Sequence, residues 1–250
     1  MLYQAVFFDA GETLLAAHPS FSELFVLVMR EHGYDVQPAD VDQALEAAYS
    51  TSTEVLGPLA STTWSTSPER SRTFWRALYG AMFGHWGIHD GDGALFEALY
   101  NRFTRYESYR LFPDAVPTVS ALKRAGLVTG LISNFEGWLE GMLIEMEVAH
   151  LFDVLVISGK EGVEKPDPGI FRLALERTGA SPRSSVYVGD NPQVDVEGAA
   201  AVGMTPVLID RRGRYPSFEG IRIGGLGDLP AVLGVDAATG RLDDGASARR

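Results

Sequence analysis

The sequence predicts an α/β fold: a parallel sheet alternating with helices, interrupted once by an all-helical insert. Three observations carry this. Val6-Phe7-Phe8 is an apolar run that ends in Asp9, as a strand buried on both faces of a parallel sheet does. From Phe112 to Ile209, short apolar runs alternate with amphipathic stretches of helical length, the pattern of right-handed βαβ units. Between these, from about Pro19 to Tyr109, Ala, Leu, Phe, Trp and Tyr recur at helical spacing without a convincing strand.

Residues 4–9 form the first strand. In the insert, Ser20 caps a helix through His32 that Gly33 ends. A second starts at Pro38 or Ala39 and runs to about Val55, broken by Gly57-Pro58. Ser67-Pro68 is an N-cap followed by proline at the first helical position, and Phe74, Leu78 and Met82 share one stripe of that helix. Asp92 opens a last helix through Tyr106, with Leu95, Phe96, Leu99 and Phe103 inward. Beyond the insert, Asp114 caps a helix over Ala115 to Ala125, Leu127 to Ile132 is a strand, and Gly137 to Val148 is a helix. Phe152 to Ile157 is a strand, and Asp167-Pro168 starts a helix closed by Gly179. Ser185 to Val188 is a strand, Gln193 to Val202 a helix stopped by Gly203, and Pro206 to Ile209 a strand. The expected division is a core of residues 1–15 and 110–235, a helical cap of 16–109, and a mobile tail of 236–250 rich in small and charged residues.

Composition narrows the partners. With 46% hydrophobic residues over 250 positions, a packed core is expected. A formal charge of -12 argues against nucleic acid and against an anionic membrane surface, both of which select Lys and Arg. The absence of Cys removes disulfides, thiolate catalysis and Cys-ligated zinc. Met1 to Phe8 has no basic region, and no stretch reads as a membrane span, so a cytoplasmic protein is expected. Oligomeric state is not legible.

The chemistry gathers at strand ends. Asp9 follows the first strand, Ser133-Asn134 the second, and Asp190 the Tyr187-Val188-Gly189 run, with Asp195 five residues on. Lys165 stands in Glu164-Lys165-Pro166-Asp167-Pro168, ahead of a helix. A parallel sheet puts all carboxyl ends on one edge, where ligands bind. Asp9 can attack as a nucleophile, and Asp9 with Asp190 supplies hard oxygens suited to Mg²⁺, to which the Gly11 carbonyl can add a ligand. Ser133 and Lys165 can hold phosphate oxygens, as phosphoryl transfer requires. Read singly, Ser133-Asn134 is an ordinary helix entrance, Asp167 a cap, and Asp195 a helix-face residue paired to Lys165.

These four stretches, with Lys165-Pro166-Asp167-Pro168 and Gly189-Asp190-Asn191-Pro192-Gln193-Val194-Asp195 the most specific, resemble the motifs of the haloacid dehalogenase-like (HAD) hydrolases. The resemblance covers residues 4–14 and about 112–210, and the insert looks like the helical cap of subfamily I. It implies a Rossmann-like, doubly wound core, a mobile cap, Mg²⁺ as cofactor, and an aspartyl-phosphate formed from a small phosphorylated substrate. Carried over by position, Asp9 is nucleophile and metal ligand, and Ser133 and Asn134 contact substrate. Lys165 steadies Asp9 and the phosphate, Asp190 ligates the metal, and Asp195 stands on the metal side or just behind it.

One position departs. Family phosphatases carry a second Asp two residues after the nucleophile, which protonates the leaving group and activates water; here it is Gly11, with Glu12 where the family has Gly. General acid–base help is worth a factor of ~10²–10⁴. Two alternatives therefore stand beside a phosphatase: a dehalogenase-like member, and a catalytically weak protein that binds a phosphorylated ligand or a partner. Phosphonate-cleaving relatives use a cap Lys, and residues 15–111 contain none. Trp64, Phe74, Trp75 and Trp86 are expected in the core of the cap rather than against ligand. His18 lies near the expected core–cap junction; His85, His89 and His150 have no partner at metal-ligand spacing.

Overall fold

The computed structural model describes residues 3–50, 63–236 and 241–242. Its centre is a six-stranded parallel sheet in the order β5-β4-β1-β6-β7-β8. The strands are β1 (Ala5–Phe8), β4 (Val128–Ser133), β5 (Val154–Ile157), β6 (Ser185–Gly189), β7 (Thr205–Ile209) and β8 (Arg222–Ile223). Five of them match the sequence reading to within two residues; β8 is too short and too polar to be seen in it. The strands run outward from β1 in both directions, so the sheet has a switch point at its middle. Phe8 lies level with Leu131 of β4 and Val188 of β6, which sets the three strand ends that follow side by side.

Alternation within β1 explains the two layers. Val6 and Phe8 face one side with α5 (Ala115–Arg124), α6 (Leu139–Glu145) and α10 (Leu229–Leu233), packing on Val119, Leu122, Met142 and Leu229. Ala5 and Phe7 face the other with α8 (Pro168–Thr178) and α9 (Gly198–Ala201), against Ile170, Phe171 and Ala199. Both faces being covered is why the strand reads as continuously apolar.

The insert holds α1 (Phe21–Glu31), α2 (Pro38–Ser50), α3 (Pro68–His85) and α4 (Ala94–Phe103). They share a separate apolar cluster around Phe25, Met29, Leu78, Met82 and Leu99. Ser20 caps α1 through the Glu23 amide, and Ser67 caps α3 through that of Arg70, as expected. The predicted end of α2 near Val55 falls outside the described residues. Helix α4 is shorter than expected: Gly93 is its N-cap, the Asp90 carboxylate accepts from the Leu95 and Phe96 amides, and the chain leaves the helix at Thr104. The insert joins the sheet layer through a ribbon that the sequence hides. In it β2 (Leu15–Ala17) pairs antiparallel with β3 (Tyr109–Leu111), so the outgoing and returning chains lie side by side.

Three further expectations are corrected. Asp114 is N-cap to α5 by position but makes no side-chain cap; its carboxylate accepts from Arg211 at 2.8 Å and from the Leu226 amide. The expected helix over Gln193 to Val202 opens as a wide π-turn, Pro192–Glu197, before α9. In the expected mobile tail, Arg241–Leu242 pairs with Val235–Asp236 as a short antiparallel ribbon. Among the described residues, no helix is long and apolar enough to cross a membrane.

Gly130 marks where the central strands are tightest: a Cβ there would stand 2.5 Å from the Phe7 ring and 2.8 Å from Val154. Gly130→Ala is expected to lower stability by about 1–3 kcal/mol through overpacking, read as a lower urea midpoint; an unchanged midpoint would show that Phe7 can move aside.

Candidate active site

The site sits beyond the carboxyl ends of β1, β4 and β6, at the switch point. Asp9 leaves β1 with its amide bonded to the Val188 carbonyl at 2.9 Å, and its carboxylate is buried to 7% exposure. Oδ1 accepts from Lys165 Nζ at 2.7 Å and from Ser133 Oγ at 3.3 Å. Lys165 Nζ also donates to Asp195 Oδ1 at 2.6 Å and to Tyr187 Oη at 2.8 Å. An ammonium has three protons, and these three bonds use them all. Lys165 thus holds the Asp9 carboxylate in place, and a bond from it to any further acceptor would replace one of the three.

The surroundings of Lys165 are built from the sequence outward. Asn134, expected to contact substrate, spends both ends of its amide on the Lys165 backbone: Nδ2 donates to the carbonyl at 2.8 Å and Oδ1 accepts from the amide at 2.7 Å. Asp167 caps α8 through the Gly169 amide, as expected. Asn191 accepts from the Gln193 and Val194 amides and so starts the π-turn. That turn swings Asp195 under Lys165, where its Oδ2 accepts from the Asn191 amide at 3.0 Å. Both Asp195 oxygens are thereby engaged, and Asp195 lies against Lys165 rather than on an open side of the cluster. Gly189 makes room for it: a Cβ there would stand 2.4 Å from the Asp195 carboxyl carbon. Tyr187, which sequence reasoning missed, is fully buried and donates to the Ile132 carbonyl at 3.0 Å. Its one signal is a phenol hydroxyl between Val186 and Val188 in a buried strand.

Asp9, Asp190 and Asp195 each present an oxygen within 4.8 Å of the others. With one ammonium among three carboxylates, two negative charges are in excess when all are ionised. The strain shows in Asp190, whose carboxyl is pushed up to about 8 by burial and by the charges of Asp9 and Asp195. Asp9 is also raised, by burial, against the pull of Lys165. Burial works against the Lys165 charge, yet Asp195 and Asp9 outweigh it and hold the ammonium above its usual range. Such a cluster suits a small divalent cation on hard oxygen ligands.

Gly11 and Asp190 open onto a cavity of about 440 Å³ that reaches into the insert. Trp64 and Trp75 line it, contrary to the expectation that they serve only the cap core, whereas Phe74 packs behind Trp64 at 4.8 Å between ring centres. Glu12, at φ 55°, is ion-paired with Arg212 at 2.7 Å. His18 is exposed on the ribbon and does not line the cavity.

A family model described as a haloacid dehalogenase-like hydrolase matches residues 3–203. The chain belongs to the haloacid dehalogenase-like hydrolases. It is 31% identical over 209 residues to haloacid dehalogenase-like hydrolase domain-containing protein 3 of Danio rerio, covering 83% of this chain and 85% of that protein. To the phosphoserine phosphatase of Thermus thermophilus it is 36% identical over 196 residues, 78% of this chain and 74% of that one. The crystal structure of a HAD phosphatase from Thermococcus onnurineus superposes with a TM-score of 0.62 at 26% identity, over 92% of this chain and 98% of that one. The family so shown is one of hydrolases, and two of the relatives this chain resembles are named phosphatases.

Two outcomes are expected. Gly189→Ala should push Asp195 off Lys165 and cut kcat on the order of 10²-fold, the cost of misplacing a catalytic group by about 1 Å; kcat on an activated phosphate ester checks this, and an unchanged value would mean that Asp195 does not position Lys165. The second concerns pH. An unfolded Asp carboxyl ionises near 3.8 and Asp190 near 8, so between these values the folded protein holds the extra proton and the metal-free chain loses stability as pH rises. A cation competes with that proton, so Mg²⁺ should raise Tm more at pH 8 than at pH 6 in thermal melts; an equal gain would separate Asp190 from the metal.

Proposed function

We propose that this HAD hydrolase is a Mg²⁺-dependent phosphatase acting on a small phosphorylated molecule through an aspartyl-phosphate on Asp9. The observation that carries the reading is the buried set Asp9, Lys165 and Asp195, with Asp190 beside it at the switch point. Because Asp9 Oδ1 is held by Lys165 and Ser133, Oδ2 is the attacking oxygen. Lys165 keeps the attacking carboxylate ionised and oriented. Ser133 Oγ, bonded to Asp9 Oδ1, is close enough to turn its hydroxyl to a phosphate oxygen. Asp9 and Asp190, with the Gly11 carbonyl, would hold the cation, while Asp195 holds the Lys165 ammonium. A bound Mg²⁺ would offset the charge on the transferring phosphoryl oxygens.

The same proposal divides the chain into a core of 1–15 and 110–235 and a cap of 16–109 hinged at the β2–β3 ribbon. The separate apolar clusters of the sheet layers and of the insert support that division. Closure of the cap over the cavity would exclude water from the site. A second reading, a protein that binds a phosphorylated ligand without efficient turnover, is favoured by one observation alone, Gly11 in place of an acid.

Turnover decides between them. Wild type should release p-nitrophenol from p-nitrophenyl phosphate with Mg²⁺ and lose that activity in EDTA. Asp9→Asn should abolish it while leaving the far-UV circular dichroism unchanged. Activity retained in Asp9→Asn would remove the covalent mechanism, and no turnover by wild type would favour the binding reading.

A further inference from the structure

The cavity that starts at Gly11 is more than a vestibule. Its walls are aromatic: Trp64 and Trp75 from the insert side, Tyr109 from the ribbon, Phe135 and Trp138 from the loop after β4. Phe135 and Trp138 meet edge to face with ring centres 5.0 Å apart. Flat apolar walls of this kind bind flat apolar groups, through both area and ring geometry.

Three carboxylate residues also line it, Glu12, Glu136 and Asp190. Glu136 is 6% exposed, and its Oε2 accepts from Tyr100 Oη at 2.5 Å. Among the described residues no other side-chain donor reaches this carboxylate, and Lys or Arg does not neutralise it. A buried carboxylate with one neutral donor has acceptor capacity left over. Ligand pockets use such isolated polar groups to orient what they bind.

The second observation is independent and concerns Gly11, which also lines the cavity. Gly11 offers no proton to a leaving group, and its neighbour Glu12 is drawn to Arg212 at 2.7 Å. Space is not the reason for a glycine here: a Cβ at Gly11 would meet nothing nearer than the Phe135 ring at 4.0 Å. A site without the acid favours leaving groups that depart as stable anions. A phenol, with a pKa near 10 like that of tyrosine, does so far more easily than an alcohol.

Resting on the phosphatase reading, we infer that the substrate is an aryl phosphate monoester whose ring lies between the aromatic walls and whose far end carries an amine or similar donor bonded to Glu136. In the first step an Asp9 carboxylate oxygen forms a bond to phosphorus. The phosphorus–aryl oxygen bond breaks, and its electron pair leaves on the phenolate, which takes its proton from solvent. Water then attacks phosphorus, the acyl phosphate bond breaks with its pair returning to Asp9, and the water proton passes to solvent. The products are a phenol and inorganic phosphate.

The test is a substrate panel on the full chain with Mg²⁺: acetyl phosphate, 4-ethylphenyl phosphate, 4-(2-aminoethyl)phenyl phosphate and 2-phenylethyl phosphate. The 4-ethylphenyl ester should exceed 2-phenylethyl phosphate in kcat by about a hundredfold, the lower bound for a missing general acid. Gly11→Asp should narrow that gap by raising the alkyl ester alone. The amine-bearing ester should exceed its ethyl counterpart in kcat/KM by about tenfold, as a charge-assisted hydrogen bond allows. Glu136→Gln should remove most of that advantage, chiefly through KM. Turnover of acetyl phosphate with equal rates on the aryl and alkyl esters, or with no preference for the amine, would overturn this inference and leave the phosphatase reading standing. Failure on every compound, acetyl phosphate included, would overturn both.

Discussion

A lysine buried to 3% exposure between two carboxylates is the constraint on which the site depends. Lys165 meets Asp9 at 2.7 Å and Asp195 at 2.6 Å. Charges taken out of water are costly unless paired with good geometry and further hydrogen bonds. Here the second condition is met by Tyr187, which takes the third ammonium proton, and by Asn191, whose amide serves Asp195. Removing Lys165 would leave the carboxylates of Asp9 and Asp195 buried without a countercharge. Much of the surrounding backbone can be read as serving that cluster: the Asn134 clamp on Lys165, the wide turn that carries Asp195, and the missing side chain at Gly189.

The same cluster is electrically incomplete. Lys165 answers two of the neighbouring carboxylates, and Asp190 answers to none. Its raised pKa expresses burial first and then an excess of negative charge, both of which a proton relieves when no cation is at hand. An overall charge of -12 would repel a phosphorylated ligand from a site built of acids alone. Local reversal of the field is therefore a condition of any phosphoryl chemistry here. Order in the protein and its chemistry are thus two aspects of one charge balance.

A second link joins sheet and insert next to this cluster. Glu164, the residue before Lys165, accepts from the amides of Trp64 at 3.1 Å and Ser65 at 2.8 Å. Ser65 Oγ lies 2.6 Å from Ser158 Oγ, which in turn accepts from the Phe135 amide. The wall residue Trp64 is therefore set by the same short segment that carries Lys165. The cavity wall and the Lys165 cluster share a scaffold, although Trp64 and Glu164 are 100 positions apart in the chain.

Much was legible from local pattern. Continuous apolar runs ending in Asp9, Ser133 and Asp190 announce a parallel sheet and its functional edge, because a strand buried on both faces has no other way to expose polar chemistry than at its end. Caps at Ser20, Ser67 and Asp167 were readable for the same reason: their partners lie two or three residues away. What the chain alone did not disclose depends on partners distant in sequence. Asp114 looks like a cap until Arg211 is brought beside it, Asn134 looks free until Lys165 is folded over it, and Trp64 and Trp75 look like core until the ribbon places the insert above Gly11. Sequence by itself determined which residues could do the chemistry; tertiary structure decided which of them are already occupied, because a side chain's hydrogen-bonding capacity is spent on neighbours that only folding supplies.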